Sequence, residues 1–198
     1  MRMKIHNMLN VLSIDLDYAY SPTISKYDDY VEGCRITLEE QESIFKKHSL
    51  PNPKPNQDKI TYLKNVFLKK SKKTAPVYLI NNHHEILRHL PKKQKFCIYN
   101  FDHHHDVFYP GWHDLEELDE GNWVSHLQNY PIEKFVWIKN KDSENREDKV
   151  KLNFVWEEIL LPEEKELPNF DIVIGCVSPP WTGRDSKIEL NKILEEKK

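Results

Sequence analysis

The chain has few cysteines, no long apolar run and no strong excess of either charge. Cys34, Cys97 and Cys176 are odd in number and widely spaced within 198 residues. That excludes a disulfide framework and points to reduced thiols in a cytoplasmic setting. The apolar runs are strand-length, well short of the roughly 20 residues a bilayer span needs. The basic start Met1-Arg2-Met3-Lys4 leads into no adequate apolar core and cleavage site, so neither a membrane partner nor a signal peptide is expected. A net charge of -3 and a pI near 6.4 remove any global argument for nucleic acid as a partner. The cluster Lys69-Lys70-Ser71-Lys72-Lys73 reads as a solvated helix end. No internal repeat or domain boundary is visible, so residues 1–198 are read as a single domain. The oligomeric state is left open.

What is present is an alternation of strand-like and helix-like segments. Asn10 to Asp17, Val77 to Ile80, Phe96 to Phe101, Phe135 to Ile138 and Asp171 to Val177 are short, nearly continuous apolar runs. A shorter one is Phe154 to Trp156. Between them, Thr37 and Glu40 spell a capping box for a helix to about Lys47. Gln57 to Lys70 carries Ile60, Leu63, Phe67 and Leu68 at helical spacing, Gly121-Asn122-Trp123 opens a helix to Asn129, and Ile188 to Leu194 closes the chain as a helix. Continuous apolar strands alternating with helices predict an α/β fold with three layers and a mostly parallel sheet. Lys139 to Lys151 lacks apolar periodicity and reads as a mobile loop.

The chemistry-bearing residues gather where these strands end. Asp102-His103-His104-His105-Asp106 follows the Phe96 strand directly, at the place where α/β folds put their reacting groups. Carboxylates and imidazoles so concentrated need a partner for their charges and lone pairs, and a divalent metal supplies one. Asp15 and Asp17 make the same demand at the end of the first strand. Two apart, they point to one side of a strand and repel unless a cation lies between them. A third piece, Asn81-Asn82-His83-His84-Glu85, follows the Val77 strand. One histidine of this pair can serve as a ligand while the other packs or hydrogen-bonds.

Together, His83-His84-Glu85, Phe101-Asp102-His103-His104-His105-Asp106 and Ser13-Ile14-Asp15-Leu16-Asp17 resemble the arginase superfamily. That fold holds two manganese ions with a lone His, a D-x-H-x-D and a D-x-D motif. With Asn122-Trp123-Val124 and Phe135-Val136-Trp137-Ile138, the pattern is most similar to an arginase-like family that includes the peptide arginases. Those enzymes turn arginine side chains of ribosomally made peptides into ornithine. The resemblance implies an arginase-like fold, two Mn2+ as cofactors and an arginine-containing peptide as partner. It implies that one metal takes His83, Asp102, Asp106 and Asp15, and the other His104, Asp102, Asp15 and Asp17, with Asp102 and Asp15 bridging. His83 is preferred to His84 because it follows Asn82, the family's ligand position. The chain departs from the family in three ways. Its D-x-D comes first rather than last, as in a circular permutation. It is shorter than a typical arginase. And Cys176 or Ser178 stands near where the family carries a guanidinium-binding glutamate.

The expected chemistry is hydrolysis at the guanidinium carbon, with two divalent cations lowering the pKa of a water from ~16 towards neutrality. Asp106 is the expected proton carrier. Among the spare imidazoles His103, His105, His113 and His126, His126 is carried forward as the catalytic one. Asn122, Trp123 and Tyr18 are expected to contact substrate, and the acidic segment Asp114 to Glu120 to steer a cationic one. Three other functions stay open. One is a small-molecule ureohydrolase acting on arginine or agmatine. Another is a phosphoesterase, since Asp102-His103-His104 spells the Asp-His-His motif of that class, although Asp15-Leu16-Asp17 lacks the Ala-x-Gly context expected after it. The last is a non-catalytic peptide-binding domain.

Overall fold

The computed structural model describes residues 8–20, 37–110 and 115–195. Cys34, the tyrosines at 27 and 30, and His113 lie outside them. Six strands form one sheet: β1 (Leu9–Asp15), β2 (Val77–Ile80), β3 (Phe96–Phe101), β4 (Ile132–Lys139), β5 (Val155–Leu160) and β6 (Ile172–Cys176). Their order is β2-β6-β1-β3-β4-β5, and every pairing is parallel. All six carboxyl ends therefore open on one edge. The first strand in the sequence lies near the middle of the sheet, between the third and the sixth.

The apolar runs are continuous because the inner strands are covered on both faces. Successive residues of β1 alternate: Leu12 and Ile14 join one core, Val11 the other. The first core takes α3 (Gln57–Lys70) through Ile60, Leu63, Val66 and Phe67, and α5 (Ser186–Leu194) through Leu190, Ile193 and Leu194. The opposite face is covered by the 3-10 turn His83–Arg88 through Ile86 and Leu87, and by α4 (Trp123–His126) through Trp123 and Val124, packed on Ile98, Phe135 and Trp137. Helix–sheet–helix layering makes this a three-layer α/β fold. At the edges, β2 and β5 leave Leu79, Val155 and Leu160 about half exposed.

Local signals explain the element ends. Thr37 caps α2 (Leu38–Lys47) with the reciprocal box to Glu40 in place. Asn56 caps α3 by accepting from the Asp58 and Lys59 amides. The Phe154 run extends further than its apolar letters suggest, to Leu160, because β5 is an edge strand that pairs only with β4 and can carry Glu157 and Glu158. The 139–151 segment has little regular structure. It is nonetheless anchored: Arg146 forks onto Asp148 (2.7 and 2.9 Å) and lies 5.1 Å over the Trp156 ring.

Candidate metal centre

Parallel pairing puts the ends of β6, β1 and β3 side by side, with β2 next to β6. Asp15 is the last residue of β1, and Asp102 follows β3 directly. Asp17 is not on the strand, contrary to the expected run through Asp17. The chain turns at Leu16, and Asp17 opens the short helix α1 (Asp17–Tyr20). The turn folds Asp17 back, so that its amide donates to Asp15 Oδ1 (3.0 Å). His83 begins the 3-10 turn after β2, whose start is fixed by Glu85 Oε2 accepting from the Asn81 and Asn82 amides.

These residues meet. His83 Nδ1 lies 3.2 Å from Asp15 Oδ2, 3.0 Å from Asp102 Oδ2 and 3.0 Å from Asp106 Oδ2. Its other ring nitrogen is 3.0 Å from Ser13 Oγ. When Nε2–H donates to that hydroxyl, the Nδ1 lone pair faces the three carboxylates, the tautomer a metal ligand needs. His104 Nδ1 lies 2.7 Å from Asp17 Oδ2. Two groups have ligand atoms mutually within 4.8 Å: Asp15, His83 and Asp102, and Asp17, Asp102 and His104. Asp102 belongs to both, and Asp15 to the first. Either could hold a metal ion: the donors are hard oxygens and imidazole nitrogens, all buried except the partly exposed His104.

A surrounding set of donors orients the ligands. Asn100 Nδ2 donates to Asp102 Oδ2 (2.9 Å) and the His104 amide to Asp102 Oδ1 (2.9 Å). The His103 amide donates to Asp17 Oδ1 (3.1 Å). Trp123 Nε1–H donates to Asp106 Oδ2 (2.7 Å), and its ring centroid lies 4.6 Å from that of His83. Asp106 has a left-handed backbone, φ 50°, and so does Ser178 across the cleft wall, φ 53°. That conformation costs a non-glycine residue on the order of 1–3 kcal/mol and is held at functional sites by its surroundings. At Asp106 the surroundings are Trp123 and the Val124 amide, which donates to the Asp106 carbonyl (3.0 Å).

Crowding carboxylates and imidazoles in a dry place shifts the proton affinities of Asp15, Asp17 and Asp102 and of both histidines. Burial, then the charge of Asp17, pushes Asp15 up to about 8. Burial, then Asp106, Asp17 and Asp15, holds Asp102 well above the usual carboxylate range. Burial alone would depress His83, but Asp102, Asp106 and Asp15 raise it well above an ordinary imidazole. His104 is likewise opposed by burial yet raised to about 10 by its bond to Asp17. Asp17 in turn is held down at about 2 by His104 and His103 despite burial. Without metal, the cluster therefore tolerates its own charge by retaining protons that a cation would displace.

All six expected ligands, His83, Asp102, His104, Asp106, Asp15 and Asp17, line one cleft. Asn82, Glu120, Ser178, Pro180 and Trp181 complete its wall. His84 instead turns towards Glu120, 3.7 Å away. Four other expectations need correction. His126, at the end of α4, lines a different cleft with Leu115, Gln128 and Asn129. Asn122 and Trp123 are fully buried. Asn122 bridges the Asp119 amide and the Glu117 carbonyl (2.9 and 2.6 Å), and Trp123 serves Asp106. Tyr18 is 1% exposed, its ring edge-on to Phe101 at 5.5 Å, so it is a core residue. For Asn122, Trp123 and Tyr18, an aromatic or amide near the motifs is used for packing beneath the site. His103 and His105 do not line the cleft either. Burial, the leading cause for both, depresses them to about 4, so they are neutral. Ser13 and Asn100 are contributors that sequence reasoning missed. The signal was available: each stands two residues before an aspartate ligand, on the same side of its strand.

Comparison of the chain with protein-family models, with curated proteins and with solved structures finds no match.

Proposed function

We propose that this chain is a binuclear metal-dependent hydrolase that converts an arginine side chain, within a peptide, to ornithine and urea. The observation that carries the proposal is the pair of Asp/His groups sharing Asp102 in one cleft at the strand ends. His83, Asp102, Asp106 and Asp15 would hold one cation, and His104, Asp102, Asp15 and Asp17 the other. Four carboxylates against two imidazoles favour Mn2+, and the thiol of Cys176 is engaged by the Asn81 carbonyl at 3.2 Å rather than offered as a soft ligand. When bound, two such cations would provide the means of lowering the pKa of a water towards neutrality.

The chain's own residues do the rest. Water adds to the guanidinium carbon, the bond from that carbon to the side-chain nitrogen breaks, and the departing amine takes a proton. Asp106 is the group placed to hold that proton, its carboxylate steadied by Trp123. Among the described residues no lysine or arginine lines the cleft. That weighs against an anionic phosphodiester, and against free arginine, whose α-carboxylate would lack a cationic partner. An arginine inside a peptide has no such group. The arginase-like spacing of the three motifs supports the same reaction by resemblance.

Mass spectrometry of an arginine-containing peptide incubated with the Mn-loaded protein tests the reading. Loss of about 42 Da per converted arginine, fixed by the covalent chemistry, with release of urea is expected. No loss from peptides, free arginine or agmatine, with both metals demonstrably bound, contradicts it.

A further inference from the structure

The cleft wall holds one carboxylate that belongs to neither metal group. Glu120 ends the segment before α4, and its side chain is 24% exposed. The four aspartates would be neutralised by two divalent cations. Glu120, whose Oε1 lies 3.7 Å from His84 Nδ1, is then the carboxylate of the cleft that belongs to neither metal group, and no lysine or arginine lines the cleft among the described residues. Trp181 comes from the loop between β6 and α5. It is brought to the cleft by a turn from Ser178 to Trp181, in which the Trp181 amide donates to the Ser178 carbonyl (3.1 Å). Its ring centroid lies 4.8 Å from that of His104. The cavity at the floor of the cleft is small, about 20 Å³, and the space above it is open to solvent. It suits the tip of a side chain better than a whole peptide segment.

We propose that Glu120 and Trp181 form the recognition wall of this cleft and take the planar cation of the substrate. The carboxylate accepts N–H bonds from the cation, and the indole face attracts its charge. A delocalised guanidinium or amidinium meets both demands, whereas a neutral isostere meets neither fully. The inference rests on the guanidine-hydrolase reading and adds the residues that select the substrate. The segment that carries Glu120 lies far in sequence from the end of β6, where Cys176 and Ser178 offer no carboxylate.

The test is calorimetric binding of benzamidine, a planar cation that cannot release urea, and of neutral benzamide, to the Mn-loaded protein. Glu120→Gln should weaken benzamidine binding by about tenfold or more, the loss expected when one charged hydrogen bond is removed. Benzamide binding and the Mn content should not change. Glu120→Asp should recover part of the affinity, and Trp181→Leu should weaken benzamidine more than benzamide. Unchanged benzamidine affinity in Glu120→Gln overturns the proposal, and so does loss of metal in that variant, which would make Glu120 a ligand. Urea release is scored separately. Intact discrimination without urea would sink the hydrolase reading alone, while urea release with an unaltered KM in Glu120→Gln would sink the recognition wall alone.

Discussion

His83 and His104 each belong to one of the two Asp/His groups of a single cleft, in different surroundings. The His83 side chain is 3% exposed, touches three carboxylates, and has Ser13 behind it and Trp123 beside it. The His104 side chain is 20% exposed, pairs with Asp17 alone and lies against Trp181, itself on the cleft wall. The first half is locked by packing from the α4 side of the sheet. The second faces the opening. A ligand whose rotamer is fixed before the metal arrives binds it more tightly. On the proposed function, the His83 half would bind its metal more tightly, and the His104 half would be the one nearer the substrate.

The most disruptive way to break this comparison is Asp102→Ala, because that carboxylate belongs to both halves. Elemental analysis should show both metals lost and urea release abolished. Retention of either metal at full occupancy would show that the halves do not share a ligand. Next come the two histidines singly. His83→Ala should empty its own half. In the metal-free protein it should also cost about 3 kcal/mol, since it strips the partner from buried carboxylates. His104→Ala should lose only the second metal and cost about 1 kcal/mol or less, given its partial exposure. Equal losses in the two variants would erase the distinction. Trp123→Phe keeps the ring packing but removes the donor to Asp106. It should weaken the His83-half metal by about 10–100-fold, the usual loss when a ligand's supporting partner is removed, and leave the other half unchanged.

The smallest effect is in pH dependence. Asp15 binds its proton more tightly folded, at about 8, than unfolded, at 3.8. Its contribution to metal-free stability is present below about 4 and is lost as pH rises through 8. His104, raised to about 10 from 6.5, acts in the same direction over a higher range. The melting temperature of the metal-free protein should thus fall as pH rises from about 6.5 to 9, above the range in which the depressed His103 and His105, at about 4, act in the opposite sense. Asp15→Asn should flatten that fall, and added Mn2+ should reverse it. A melting temperature that rises with pH in the metal-free protein would contradict the proton-holding cluster.

How much of this was readable beforehand follows from which interactions are local. The strands, α2 and α3 are set by nearby signals: apolar runs, the Thr37–Glu40 box, the Asn56 cap. Most of their ends fall within a residue or two of expectation, but β4 begins three residues earlier, at Ile132, and β5 runs four further, to Leu160. The ligands were readable too, because each sits at the end of an apolar run. What could not be read was which polar and aromatic neighbours point into the cleft. Trp123 and Tyr18 lie beside the motifs in sequence yet beneath them in space. Glu120 and Trp181 are separated by sixty residues of chain that includes β4, β5 and β6, and only the sheet order brings them to one wall. His126 was misplaced because α4 ends after one turn, and its last residue faces away from the strand ends.

The central claim is that two unequal cation sites share Asp102. A calorimetric titration of the metal-free protein with Mn2+ tests it most directly. The account predicts two equivalents bound per chain in separable steps, the first tight and lost in His83→Ala, the second weaker and lost in His104→Ala. Saturation at one equivalent, or two equivalents that survive Asp102→Ala, would contradict it.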